Sequence, residues 1–170
     1  MTTATSTSTN TYTRTHTAAY LAEAILGTIS EVLAHLGIPT SQGSWDLERD
    51  ERAIAAWYEE GSLKLVALEC HQPDGTVAPV FEFPVTYSAH PLSELKAFQT
   101  DAVSLANFRQ KINATPRGTT FRLFCSFNGT HSDQKGWSAA ARASTDGLRS
   151  SSFGTIASGP HGSAEMRYLR

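Results

Sequence analysis

The chain has 170 residues, enough for one domain with its own core and no need of structural disulfides or metal. Charged residues make up 18% and the formal net charge is -2, which argues against a protein built mainly to neutralise phosphates and moves surface polarity onto Ser, Thr, Gly and Asn. No apolar run approaches the length of a membrane span, no signal peptide opens the chain, and Cys70 and Cys125 are too few for a disulfide framework. A soluble cytoplasmic protein is expected.

In chain order, Thr occupies every odd position from Thr3 to Thr17. Such a polar repeat predicts a disordered arm over residues 1–10, with the ordered domain opening near residue 11. Residues 17–36 predict a helix. Leu21, Ile25, Ile29, Val32 and Leu36 fall on one stripe, Thr17 is a candidate N-cap, and Gly37 before Ile38-Pro39 is a stop signal. A second helix starts at Ser44 or Asp46, carries Leu47, Ile54, Trp57 and Tyr58 on its apolar side, and ends at Gly61.

The period then changes to two. Leu63–His71 and Val77–Tyr87 predict a hairpin across Pro73-Asp74-Gly75. Pro79 and Pro84 each remove a ladder donor, which places the second strand at a sheet edge, at least in part. Residues 91–113 predict a helix with Leu92, Leu95, Phe98, Val103, Leu105, Phe108 and Ile112 as its contacts, broken near Thr100-Asp101. Thr119–Phe127 predicts a third strand, with Phe121, Leu123, Cys125 and Phe127 inward and Thr120, Arg122, Phe124 and Ser126 on the other face. From Trp137 onward four arginines face two acids among many Gly and Ser, so this segment is locally basic. Weak strands at 148–156 and 164–169 predict a mobile β-element that covers a sheet edge.

Signals for chemistry are sparse. The six histidines are scattered, with no HExxH or CxxC, so neither metal nor cofactor is expected. Both cysteines lie in apolar strands, where inert packing is the expectation. There is no GxSxG elbow and no phosphate loop. Two other classes stay open. A small hydrolase would need Cys125 or a serine beside His71, His90 or His131 in a concave site. A nucleic-acid module would use Arg122, Phe124 and the C-terminal arginines.

The stretches TYTRTHTAAYLAEAILGTISEVL, ERAIAAWYEEGSLKLVALECHQPDGTVAPVFEF, FRLFCSF, Gly136-Trp137 and STDGL followed by SSSFGTIASG stand in the order found in bacterial HORMA-domain proteins, and the chain resembles that family from about residue 10 to its end. The resemblance implies an α+β HORMA fold: a three-stranded antiparallel sheet backed by helices, a core over about 11–136 and a C-terminal safety belt over about 137–170. It implies that a closure-motif peptide lies beside the strand at 119–127, met by Thr120, Arg122, Phe124 and Ser126, and that the belt pairs with the strand at 77–87. An exposed strand face explains Arg122 and Ser126 equally well. Trp137, Thr145, Asp146, Gly147, Leu148, Phe153 and Ile156 would belong to the belt. Trp137 would anchor it or plug the core rim, and Asp146-Gly147 is most simply a turn.

The same resemblance implies a conformationally switching, non-enzymatic adaptor of CBASS-type anti-phage defence. Closed on its peptide, it would bind and activate a cGAS-like nucleotidyltransferase. A remodelling AAA+ ATPase would engage it around Tyr12, Arg14 and His16 and reopen it. A second HORMA protein of the same operon is a further possible partner; direct nucleic-acid and membrane contacts are not expected. The sequence departs from expectation at Ala139-Ala140-Ala141, which lacks the bulk to lock a belt connection.

Overall fold

The apolar stripe of the first long helix organises the molecule. The computed structural model describes residues 4–88, 99–100 and 102–170. Helix α1, Ala4–Leu36, buries Leu21, Ile25, Leu26, Ile29, Val32, Leu33 and Leu36. It stops as the sequence predicts: Gly37 adopts φ 75°, the Gly37 N–H bonds Ala34 O at 3.2 Å, and the Ile38 N–H bonds Leu33 O at 2.9 Å. Its start differs from expectation. Residues 4–10, expected as a disordered arm, continue the helix, and Thr17, expected as its cap, lies buried in its middle. Once the buried turns exist, adding a turn costs far less than nucleating one. Arg14–Leu36 is also long and apolar enough to cross a membrane by length and composition, which the expectation from apolar runs overlooked. Its apolar residues are spent on the core, packed against α2 and the C-terminal strands.

Helix α2, Leu47–Glu59, is capped by Asp46, whose Oδ1 accepts from the Arg49 N–H at 3.0 Å. Ala53, Ile54, Trp57 and Tyr58 are buried, whereas Leu47, expected on the apolar side, is 50% exposed at the first position of the helix. Gly61, at φ 80°, closes the helix.

Strands β1, Leu63–His71, and β2, Val77–Tyr87, form the expected hairpin. The sheet is antiparallel and has the order β3-β5-β6-β2-β1-β4, with β3 at Gln99–Thr100, β4 at Thr120–Phe127, β5 at Ser150–Gly159 and β6 at Gly162–Leu169. The expected three strands are its β2-β1-β4 part, and the C-terminal hairpin extends it. Strand β2 is therefore interior, not an edge. Its prolines are tolerated because pairing with β6 starts at Val80, after Pro79, and passes over Phe83 and Pro84 before resuming at Val85.

Of the predicted 91–113 helix, Leu92, Leu95 and Phe98 lie outside the described residues. Gln99–Thr100 is a strand against β5, and helix α3 spans Ala102–Arg109. Phe108 and Ile112 are buried as expected, and Val103 is 70% exposed. Helices α1 and α2 cover one face of the sheet, meeting Val66, Leu68, Phe81, Phe83 and Phe121.

Candidate functional site

Among the described residues strand β4 pairs with β1 alone, and its other side is a free edge there. Every second residue there turns its N–H and C=O away from the sheet. The chain does not leave this edge directly. After Phe127 it runs as an irregular strap over residues 128–149 and returns as β5 on the far side of the sheet. Between the strap and β4 lies an open slot of about 660 Å³. Arg122, Phe124 and Cys125 border it from β4, Asp50 and Trp57 from α2, and His131 to Gln134 and Gly136 to Ala140 from the strap.

Three features seat the strap. Trp57, buried on α2, donates its indole N–H to Ser132 O at 2.8 Å and meets the Trp137 ring edge-on at 5.3 Å. Ser132 donates its N–H and hydroxyl to Glu60 Oε1 at 3.2 and 3.0 Å. Burial pushes the Glu60 carboxyl up, but these bonds together with the Ser62 hydroxyl hold it below its ordinary value. Gly136, at φ 83°, lies on the Arg49 stem, where an added Cβ would come within 2.5 Å of Cδ. Arg49 in turn pairs with the buried Asp50 at 2.8 Å. Burial raises the Asp50 carboxyl above its ordinary value, and the bonds from Arg49 and the Asp46 N–H only offset part of that.

Farther along, the strap crosses the sheet face opposite the helices. Arg142 places Nε 3.2 Å from Glu69 Oε1 and Nη2 2.9 Å from Glu82 Oε1. The Ala143 N–H bonds Glu69 Oε1 at 3.2 Å. The missing bulk at Ala139-Ala140-Ala141 is thus accompanied by an ionic contact one residue on.

The expected site residues fall in different places. Arg122 and Phe124 border the slot; Thr120 and Ser126 share their strand face and lie outside its lining. Trp137 lines the slot. Thr145 to Leu148 form a turn, with the Leu148 N–H on Thr145 O at 3.1 Å and Gly147 at φ 83°. Phe153 packs on Phe108 at 5.2 Å and Ile156 is fully buried, both on β5 away from the slot. Arg14 and His16 are exposed on α1, where Tyr12 also lies.

Sequence reasoning missed Asp50, Trp57 as a strap seat, and the Glu69–Arg142–Glu82 cluster. A signal existed for two of the acids: Asp50 stands on an otherwise apolar helix stripe, and Glu69 interrupts the apolar run LVALEC.

Chemistry other than binding finds little support. Cys125 and His131 both border the slot, the arrangement a thiol hydrolase would need. The imidazole, however, stacks on Phe127 at 3.7 Å, and its Nδ1 faces Ser132 O at 3.1 Å. Burial pushes the Cys125 thiol far above its usual range and the Cys70 thiol up to about 12, so neither is a ready nucleophile. Among the described residues no group of His, Cys, Asp or Glu could hold a metal ion. Of the arginines a nucleic-acid surface would use, Arg142 is committed to carboxylates.

A family model described as Bacterial HORMA domain 2 matches residues 5–170. No curated protein matches the chain. Among solved structures, a chain of the mitotic checkpoint complex shares 11% identity at a TM-score of 0.69, covering 89% of this chain and 97% of that one. C. elegans HTP-2 bound to the HIM-3 closure motif shares 16% identity at a TM-score of 0.68, covering 92% and 90%. An E. coli MS115-1 HORMA:CdnC:Trip13 complex contains a chain with 13% identity and a TM-score of 0.62, covering 92% and 89%. At these identities the likeness is one of fold.

Proposed function

Because the chain belongs to the bacterial HORMA domain 2 family, we propose that it is a non-enzymatic adaptor that holds an extended closure peptide between β4 and its own strap. One observation carries this reading: the free edge of β4 opens onto a slot of about 660 Å³ roofed by the same chain. An added strand would satisfy the outward N–H and C=O groups of β4, while Phe124 and Trp137 would receive its side chains. The strap would have to move for a peptide to enter sideways, so capture and strap position are coupled. A peptide shifts that equilibrium only by its preference for the strapped state.

The wider role follows the family. Holding its peptide, the protein binds and activates a cGAS-like nucleotidyltransferase in cytoplasmic anti-phage signalling. An AAA+ ATPase engages the start of α1, around Tyr12, Arg14 and His16, and reopens the strap. The E. coli relative found with CdnC and Trip13, and the C. elegans relative found with a closure motif, support this reading. A second HORMA protein of the same operon is a further candidate partner.

The test is to tag the chain in its native host, recover what it retains, and map cross-linked peptides. A nucleotidyltransferase or an extended peptide cross-linked to β4 is expected. Ala140→Trp, which fills the slot from an exposed strap position, should abolish retention. Recovery of neither, or full retention by that variant, would sink the proposal.

A further inference from the structure

The strap has little apolar burial to hold it down. From residue 128 to residue 149 no side chain is buried, and residues 138–141 are all exposed. Its start is seated on α2 through Ser132 and Trp137, and its end enters the sheet where Arg149 and Arg170 exchange backbone bonds of 2.7 and 3.1 Å. Between these ends, the side-chain contacts with the sheet among the described residues converge on Arg142. Its guanidinium spans two strands, reaching Glu69 on β1 and Glu82 on β2. Glu69 is 1% exposed at its side chain. It also takes the Ala143 N–H and lies 3.4 Å from His71 Nε2.

The geometry points to Arg142 as the positioning residue that clasps the strap over the slot, so that release of a held peptide is governed by this ion cluster. The inference rests on the peptide-holding reading for its purpose, though not for its geometry. Its physical basis is an asymmetry. With the strap down and Arg142 present, the buried Glu69 carboxylate has a charged partner. With the strap lifted, water takes that place. With the strap down and Arg142 removed, the buried Glu69 loses its bonded guanidinium and keeps an amide, an imidazole at 3.4 Å and, across the ladder on β4, the exposed Arg122, and a buried charge so poorly compensated is unfavourable. Loss of Arg142 therefore penalises the strapped arrangement alone, leaving the lifted one and the helix-backed core unaffected. Removing the charge at Glu69 should reverse much of the penalty. A lysine in place of the arginine could not span both carboxylates, because the two contacts use separate nitrogens of one planar fork.

The experiment is 1H–15N NMR of the full chain without peptide, following hydrogen exchange of the Ala143 amide and the order of residues 138–148. In Arg142→Ala, Ala143 should exchange at least about tenfold faster while β1 and β4 amides keep wild-type protection. Arg142→Lys should fall between the two, and Glu69→Gln/Arg142→Ala should return toward wild type. Glu82→Gln, which removes one contact, gives a smaller change in the same direction and keeps the test open if Arg142→Ala does not fold. Unchanged Ala143 exchange in both single variants would overturn the clasp. Dissociation of a peptide selected from a random library on the wild-type chain is the companion readout. Arg142→Ala should speed it by a similar factor with little change in association. An unchanged dissociation rate would overturn the clasp's role, whereas failure of the wild type to select any peptide would count against the peptide-holding reading and leave the NMR result to decide the clasp.

Discussion

The layer between α1 and the sheet and the strap across the sheet's other face are held by different physics. The first is a continuous apolar contact among Leu21, Ile25, Leu33, Trp57, Phe81 and Phe83, all at or below 2% exposure. Each of those side chains contributes roughly 1.5–3 kcal/mol by leaving water. The strap has no buried side chain and hangs on a few directed contacts at Ser132, Trp137 and Arg142. Apolar contact degrades gradually as surfaces part, but a directed polar contact is either made or lost. A fold that must stay intact while one segment lets go has reason to use both.

That contrast can be broken from either side. The largest effect should come from the core. Phe83→Ala should cost about 3–5 kcal/mol in urea unfolding, with the strap and hairpin amides losing protection together with the rest. An intermediate effect should follow at the joint between core and hairpin. Gly162 sits where a Cβ would collide with Thr86 O and the Tyr58 hydroxyl, and Tyr58 itself donates to Thr86 O at 3.0 Å. Gly162→Ala should cost about 2–3 kcal/mol of hairpin docking, read as faster exchange in β5, β6 and the β3 that pairs with β5, while protection of β1 and β4 persists. Equal loss across the sheet would show that the hairpin is not a separable unit.

The smallest effect is a titration of the core layer. Burial raises the Cys70 thiol from 9.0 to about 12 in the folded chain. Above pH 9.0 the unfolded chain releases this proton and the native one retains it, so stability is full below that pH and declines as pH rises toward about 12. Tyr87, pushed up to about 12 mainly by burial, acts in the same direction. At about pH 10 the thiol alone should remove roughly 1 kcal/mol, and Cys70→Ala should flatten the decline measured by urea titration across that range. An unchanged slope would show that the thiol titrates alike in both states.

How much was legible in advance differs between the same two regions. The α1 stripe, the start of α2 at Ser44 or Asp46, the hairpin and the alternation along β4 all follow from local signals, because helix and strand each impose a period on buried side chains. Two of the failures share a cause. Pro79 and Pro84 suggest an edge for strand β2, yet those prolines fall where β6 makes no pair. The spacing around Gln99–Thr100 suggests helix with a break near Thr100-Asp101, yet β5 draws Gln99–Thr100 into the sheet. In both places the decision lay with a strand from the distant C-terminal segment. Arg142 looks in the sequence like one of several basic residues in a Gly/Ser-rich segment, and its partners are 73 and 60 residues away.

The sequence alone therefore determined the buried span of α1, helix α2, the central strands and their inward faces, since burial of apolar side chains at a fixed period is a local property of the chain. The order of strands, the free edge of β4, the slot beside it and the ionic contact over the sheet were decided only in the tertiary structure. Those features depend on which segment arrives to pair with a backbone edge or a buried charge, and backbone donors and acceptors are the same at nearly every residue.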